Sequence, residues 1–428
     1  MRHRAPLLAG LALTALLPLA SPAPAASGFA AEEPARPACD PALLEQDVRS
    51  LASDGMEGRG LGSEGLERAV RLVARRFKSL GLQPAFPEKS GLLDGYLQDF
   101  TASGYPASAN VIGILPGDPA LAPRAVVVGA HVDHLGRDPG LEGDPIYNGA
   151  DDNASGVAAL MAIARRLAES PSRERERTVV FVAFTGEESG LLGSSYYTEH
   201  PVVPAEQVIA MVNLDTVGRL HDRPLILFGT GTAQEFPAIL EGLDLAFGLR
   251  LALRPEGAGA SDQTSFFEKD IPVLHFFTGP HEDYHRVTDS AERVDYPGLA
   301  AVTDFAGELV RYLRYRDRPL TFVAAGREQA EKLKQMPKTE RRVSLGFMPD
   351  FAQASGGVKV GAVTPGGAGA AAGLQPGDVI TAIDGEATDT LVDYTATLRE
   401  HAPGDAVTLT VNRAGQGLTI QATVQERK

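Results

Sequence analysis

Four apolar runs in this chain lead to residues that can bind a metal or carry a proton. "RAVVVGAHVD" reaches His131 and Asp133, "TVVFVAFTGEE" reaches Glu187 and Glu188, and "VIAMVNLD" reaches Asp215. "IPVLHFFTG" is followed by His285. Together with "ANVIGIL" they alternate with helix-like stretches such as Gly156 to Glu169 and Pro297 to Tyr315. Continuous apolar strands alternating with helices predict an α/β domain, with a mixed, largely parallel sheet covered by helices on both faces. In such a sheet, ligands gather beyond the carboxyl ends of the strands, where these polar residues fall.

Other features set the domain limits. Leu43 to Leu80 has apolar residues at helical spacing, interrupted by the glycines of "DGMEGRGLGSEG", and reads as a helical hairpin. The α/β domain is expected over residues 40–318. Residues 319–342 are expected to form a linker, with helical periodicity from Phe322 to Arg342, and residues 343–428 a small β-rich domain marked by the turns Pro376-Gly377-Asp378 and Asp384-Gly385. Residues 1–25 read as a signal peptide: Arg2, His3 and Arg4, an apolar run from Ala5 to Ala20, and Ala23-Pro24-Ala25 as cleavage site. Export to a periplasm or out of the cell is therefore expected, with no membrane span. Cys39 is the only cysteine, so no internal disulfide can form. The formal charge of −15 becomes about −17 once the two positive charges of Arg2 and Arg4 leave. Acidic and basic residues are mixed, so nucleic acid is not an expected partner.

"YNGADDNASG", Tyr147 to Gly156, places two carboxylates side by side among small residues, a repulsion that needs a counterweight. A glycine-rich turn is the ordinary reading. If the strand ends converge, however, Asp152, Glu188 and Asp215 bring three negative charges into one cleft, and neutral His131 and His285 bring none. Like charges at close range force protonation unless a cation intervenes. Two Zn²⁺ would leave one positive charge, which one hydroxide would neutralise. Asp152 then reads as a carboxylate shared by two metals, with Asp151 or Asn153 shaping its turn. Taken singly, each residue has a plain structural reading: His131 a hydrogen-bonded core histidine, Glu187-Glu188 an acid pair at a helix start, Asp215 a cap. Asp133, two positions on from His131, reads either as a solvated loop residue or as the acceptor for the imidazole's second proton. His134, His275 and His281 read as supporting residues rather than ligands.

In this order, "GAHVDHLG", "NGADDNASG", "FTGEESGLLGS", "NLDTVGR" and "EDYHRVTD" resemble the zinc aminopeptidase family that includes aminopeptidase S, aminopeptidase Y and the glutamate carboxypeptidases. "LASDGMEGRGLGSEG" is similar to that family's entry segment, and the resemblance runs from Leu43 to Tyr315. It implies the zinc exopeptidase fold, with His131, Asp152 and Asp215 on one zinc and Asp152, Glu188 and His285 on the other. It also implies a metal-activated water with Glu187 as general base, Asp133 as partner of His131, and a non-proline cis peptide at Asp152-Asn153. Co²⁺ or Mn²⁺ would suit the same ligands. Gln263 stands where many relatives have His, and Val287 where Pro is common; the large domain often inserted before the "NVIG" strand is absent.

The resemblance implies peptide substrates with a free N-terminus. Arg219 and Arg286, close to the motifs, leave a carboxypeptidase-type variant open, since a free C-terminus calls for an Arg. A one-zinc glutaminyl-cyclase-like acyltransfer and a non-catalytic adaptor stay open as well. From Val343 to Glu426 the chain resembles a PDZ domain in the bacterial strand order. That implies a cradle of backbone amides around Leu345, Gly346 and Phe347 for the C-terminus of a protein, with Ser344 departing from the usual residue; packing on the first domain is the competing reading.

Overall fold

The computed structural model describes residues 39–118, 121, 124–170, 176–327, 343–350, 356–364 and 366–426, together with Met1. The expected signal peptide over residues 1–25, Met1 apart, and residues 328–342 of the expected linker lie outside the described residues.

From Cys39 the described residues begin with the two expected helices. α1 (Pro41–Leu51) is capped by Asp40, which accepts the Ala42 amide, and carries Pro41 in its first turn, where a missing N–H costs nothing. α2 (Glu64–Ser79) is capped by Ser63, which accepts the Leu66 amide, and has Glu64 and Glu67 at its positive end. There follow β1 (Gln83–Pro84), β2 (Leu97–Phe100), β3 (Ser108–Leu115), β4 (Ala125–His131), and a small hairpin of β5 (Gly136–Arg137) and β6 (Ile146–Tyr147). Next come α3 (Gly156–Glu169), β7 (Thr178–Phe184), α4 (Leu192–Glu199), β8 (Val208–Leu214), β9 (Leu225–Phe228) and α5 (Phe236–Phe247). β10 (Leu251–Leu253), α6 (Gln263–Phe267), β11 (Val273–Phe277) and α7 (Tyr296–Tyr315) complete the domain.

The sheet runs β1-β3-β7-β4-β8-β11-β9-β10, with β2 beside β3. Its centre, β7-β4-β8-β11, is parallel, while β3 and β9 flank it antiparallel. Alternation along β4 explains the two covered faces. Val126, Val128 and Ala130 join one core with α1, α2, α3, α5 and α7. Ala125 and Val127 join the other, with Tyr197 of α4 and Phe266 and Phe267 of α6.

Four strands of this sheet escape the sequence reading. β1, β2, β9 and β10 are only two, four, four and three residues long, too short to give a period. The linker expectation also changes: where a helix from Phe322 is expected, residues 321–325 are not helical, Phe322 forms an isolated bridge with Ala233, and the segment is bonded to the domain. The amides of Gln234, Val323 and Gly257 donate to Thr321, Thr232 and Ala325.

The C-terminal domain comprises β12 (Val343–Ser344), β13 (Phe347–Pro349), β14 (Val358–Val363), α8 (Ala368–Ala372), β15 (Val379–Ile383) and β16 (Glu386–Ala387), then α9 (Leu391–Arg399), β17 (Ala406–Arg413), β18 (Gln416–Thr423) and β19 (Gln425–Glu426). It has its own core, which includes Val343, Leu345, Val360, Ile380, Leu398 and Leu409. Among the described residues no helix is long and apolar enough to cross a membrane.

Candidate metal centre

β7, β4 and β8 end side by side, His131 opposite Phe184 and Gly129 opposite Asn213, so residues following these strands meet at one sheet edge. The chain passes from β4 to β7 on one side and then to β8 on the other. This is the switch in strand order where open α/β sheets leave a crevice.

Asp152 enters from the loop before α3, and its loop is held tightly. Asp289, fully buried, accepts the amides of both Asp151 and Asp152 and a bond from Arg219. Asn153 donates to Leu214 O and accepts from the amides of Gly156 and Thr216. The small residues have a cause: a Cβ on Gly156 would lie 2.3 Å from Asn153 Oδ1 and 2.3 Å from Leu214 O. The Asp152-Asn153 peptide is cis, as the resemblance implies.

The two oxygens of Asp152 face different partners. Oδ1 lies 3.3 Å from His131 Nε2, which is also 3.3 Å from Asp215 Oδ1. Oδ2 lies 3.0 Å from His285 Nε2, itself 3.3 Å from Glu188 Oε2. Ligands at ~2.0–2.2 Å around a tetrahedral zinc stand roughly 3.3–3.6 Å apart. The separations around His131 fall in that range, and those around His285 are 3.3 and 3.0 Å. His285 Nε2 makes no hydrogen bond although it faces two carboxylates. His285 also adopts a left-handed backbone, φ 56°, which costs roughly 1–3 kcal/mol and aims its ring into the cluster. Asp215 is steadied by hydroxyls, Thr216 Oγ1 at 2.9 Å and Ser261 Oγ at 2.7 Å.

The charges of these side chains favour a cation among them. Burial opposes charge on His131, yet Asp215, Glu187 and Asp152 outweigh it and hold the imidazole well above its usual range. Burial likewise opposes ionisation of Asp152, and His134, His131 and His285 reverse the balance and keep it well below the usual carboxylate range. The carboxylates thus favour positive charge at His131 and His285, the same field that would favour a bound cation. Glu187 is raised well above its usual range, first by burial and then, against the pull of His131, by Asp215, Asp262 and Glu188. It therefore sits electrostatically among the cluster, partly open to solvent.

Asp133 departs from expectation. His131 Nδ1 is 3.2 Å from the Asp133 backbone carbonyl and 3.8 Å from its carboxylate, so the carbonyl is the closer acceptor. The carboxylate instead accepts the amides of Glu187 and Glu188. Two residues past His131, the chain turns the Asp133 carbonyl toward the ring and its side chain toward the next strand's loop.

Of the histidines that read as supporting residues in the sequence, His134 comes nearest: its Nδ1 is 2.8 Å from Glu188 Oε1 and 3.8 Å from Asp152 Oδ2. It is at hydrogen-bond distance from Glu188 alone, whereas His285 lies close to both acids; His134, Asp152 and Glu188 are nonetheless also close enough together to hold an ion. His281 meets Asp151 Oδ2 at 3.0 Å, and His275 is buried against Phe228. Tyr284 stacks on His285 at 4.0 Å between ring centres. Arg219 is buried between Asp283 and Asp289, both at 3.2 Å, while Arg286 is exposed. Sequence reasoning misses Arg59, Ser261 and Asp289; Asp289 closes the "EDYHRVTD" motif and is the most accessible of the three from sequence.

In the C-terminal domain β13 lies at the edge of its sheet, and Phe347 packs across from Tyr394 of α9 at 5.4 Å. Leu345 is a core residue, and Gly346 takes φ 65°. The Gly346 amide, expected to face a carboxylate, donates to Ser344 Oγ at 3.0 Å.

Residues 110–310 match the family model for peptidase family M28, and residues 359–413 that for a PDZ domain. Aminopeptidase YwaD of Bacillus subtilis is 29% identical over 245 residues, covering 55% of this chain and 47% of that relative. The chain thus spans about half the length of that curated relative. Among solved structures, the LapA aminopeptidase of Legionella pneumophila superposes with TM-score 0.54 at 20% identity, over 65% of this chain and 72% of that one. Glutaminyl cyclase of Porphyromonas gingivalis gives 0.52 at 18%, over 64% and 98%. Both likenesses are of fold.

Proposed function

We infer, from a chain that carries a peptidase family M28 domain over residues 110–310 and a PDZ domain over residues 359–413, that it is an exported dizinc exopeptidase removing N-terminal residues from peptides. The observation that carries this reading is Asp152, whose two oxygens each face a separate His/carboxylate pair. His131, Asp152 and Asp215 would hold one zinc, and Asp152, Glu188 and His285 the other. When bound, two such ions polarise a scissile carbonyl and make a water acidic enough to ionise near neutral pH.

Glu187 is the general base. It lies outside both sets and is partly open to solvent, it carries a raised affinity for protons, and its position beside Glu188 is fixed by the amide bonds to Asp133. It takes the water's proton and returns it to the leaving amine. Tyr284, stacked on His285, stands at the mouth of the site, where its hydroxyl would assist the carbonyl oxygen. The acidic cluster suits a substrate's positive α-amine.

Arg219 is committed to Asp283 and Asp289, which weakens the carboxypeptidase reading. Both His/acid pairs are complete, which argues against a one-metal cyclase and against a non-catalytic adaptor. A panel of short peptides, each with a free or acetylated amino end and assayed before and after chelation, tests the reading. Residues should leave only from free N-termini and only before chelation; release from the C-terminus of acetylated peptides would contradict it.

The PDZ groove between β13 and α9 would take the apolar C-terminus of another protein as an added strand. A labelled peptide should bind with a free carboxylate and not as its amide. Equal binding of the two would remove this part of the reading. Export rests on residues 1–25, and a mature chain starting at any residue far from Ala26 would contradict it.

A further inference from the structure

We propose that Arg59 is a positioning residue of the metal centre, a single buried guanidinium that fixes the backbone of both segments delivering His131 and Asp152. This rests on the metal-binding reading above.

Arg59 lies in the glycine-rich break between α1 and α2 and is 1% exposed. A buried guanidinium ordinarily pairs with an acid, because its charge is costly to desolvate. Here its bonds go to backbone carbonyls. Nε donates to Val132 O at 2.8 Å, one Nη to Leu51 O at 2.8 Å and Asn148 O at 2.7 Å, and the other Nη to Gly149 O at 2.8 Å. Val132 sits between His131 and Asp133, and Asn148 and Gly149 shortly precede the Asp151-Asp152 pair. One planar group therefore ties the two segments to each other and to the end of α1. The Arg59 carbonyl adds a further tie by accepting the His134 amide at 3.1 Å.

The local backbone is bent to make this reach. Glu57, Gly58 and Arg59 are consecutive left-handed residues, at φ 52°, 64° and 50°, and two of them carry side chains that disfavour it. At Gly58 the chain crosses the β5–β6 hairpin so closely that a Cβ would lie 2.2 Å from Gly136 O and 2.6 Å from Tyr147 O. Burial pushes the guanidinium down to about 10, against the opposing pull of Asp152, Asp289, Asp133 and Glu188, so the group stays charged at neutral pH. The acids supply the counter-charge at a distance, and none of Arg59's bonds consumes a carboxylate oxygen that a metal would need.

Lysine cannot reproduce this arrangement, since its three donors radiate from one nitrogen while the four carbonyls need a planar fork. The test uses the full mature chain with Arg59→Lys and Arg59→Ala. Zinc affinity is measured against a chromophoric chelator, and the visible absorption of the Co²⁺-substituted protein reports ligand geometry. Both variants should fold, bind zinc about 10- to 100-fold more weakly and show altered Co²⁺ bands, as loss of an outer partner of a metal ligand does. Millimolar methylguanidinium should restore zinc affinity to Arg59→Ala, and methylammonium should not.

Arg59→Lys with wild-type zinc affinity and an unchanged Co²⁺ spectrum would overturn the proposal. So would failure of both variants to fold, which would make Arg59 an anchor of the fold alone. A wild-type chain that binds neither ion would instead overturn the metal-binding reading, and this inference with it.

Discussion

Glu187→Gln should leave both zinc ions bound and lower kcat by about 10²–10⁴-fold, the range a positioned general base contributes. The carboxamide keeps the size and shape of the side chain but cannot accept the water's proton. Glu187 supplies no atom to either close His/carboxylate set, so zinc content should match the wild type, and KM should change less than kcat. Its neighbour gives the contrast. Glu188 Oε2 is 3.3 Å from His285 Nε2, and Glu188→Gln should lose zinc as well as turnover. Zinc analysis beside initial rates checks both; full activity in Glu187→Gln would remove it from the mechanism.

Asp152→Asn should be the most damaging single substitution for metal binding. An amide offers one ligand oxygen, and its NH₂ would face whichever His/acid pair the lost oxygen served. One of the three negative charges that oppose two Zn²⁺ is also gone. Removing an outer partner of a ligand already weakens metal sites about 10- to 100-fold, and losing a shared ligand should exceed the upper end of that range. The fold should survive, because Asp289 holds the loop through the amides of Asp151 and Asp152, not through the Asp152 side chain. Circular dichroism should therefore be unchanged while zinc affinity collapses. Retention of two zinc ions by Asp152→Asn would show that its carboxylate is not shared.

This site is legible in the sequence because strand ends in a parallel sheet are adjacent wherever the strands are. His131, Glu188 and Asp215 lie far apart in the chain but end or follow β4, β7 and β8, and Asp152 precedes α3, which lies between β4 and β7. Side-chain direction is less legible. Spacing suggests that Asp133 serves His131 through its carboxylate, yet its carbonyl is nearer, a difference of local turn geometry that spacing does not encode. Arg59 is hidden for a related reason: an arginine between glycines reads as an exposed turn until three distant carbonyls are found around it. His134 reads as a supporting residue and does approach Glu188, but no feature of "GAHVDHLG" distinguishes that from an unrelated surface contact. Residues 321–325 read as helical because Lys, Glu and Gln recur downstream, whereas their backbone partners Thr232, Gln234 and Gly257 lie far earlier in the chain.

The most direct measurement of the central claim is zinc stoichiometry, by titrating the metal-free mature protein and following heat and peptide hydrolysis together. Two zinc ions per chain, with turnover completed only as the second binds and neither retained by Asp152→Asn, is the predicted result. Full activity with a single equivalent, or with none, would contradict a centre built on a carboxylate shared between two metals.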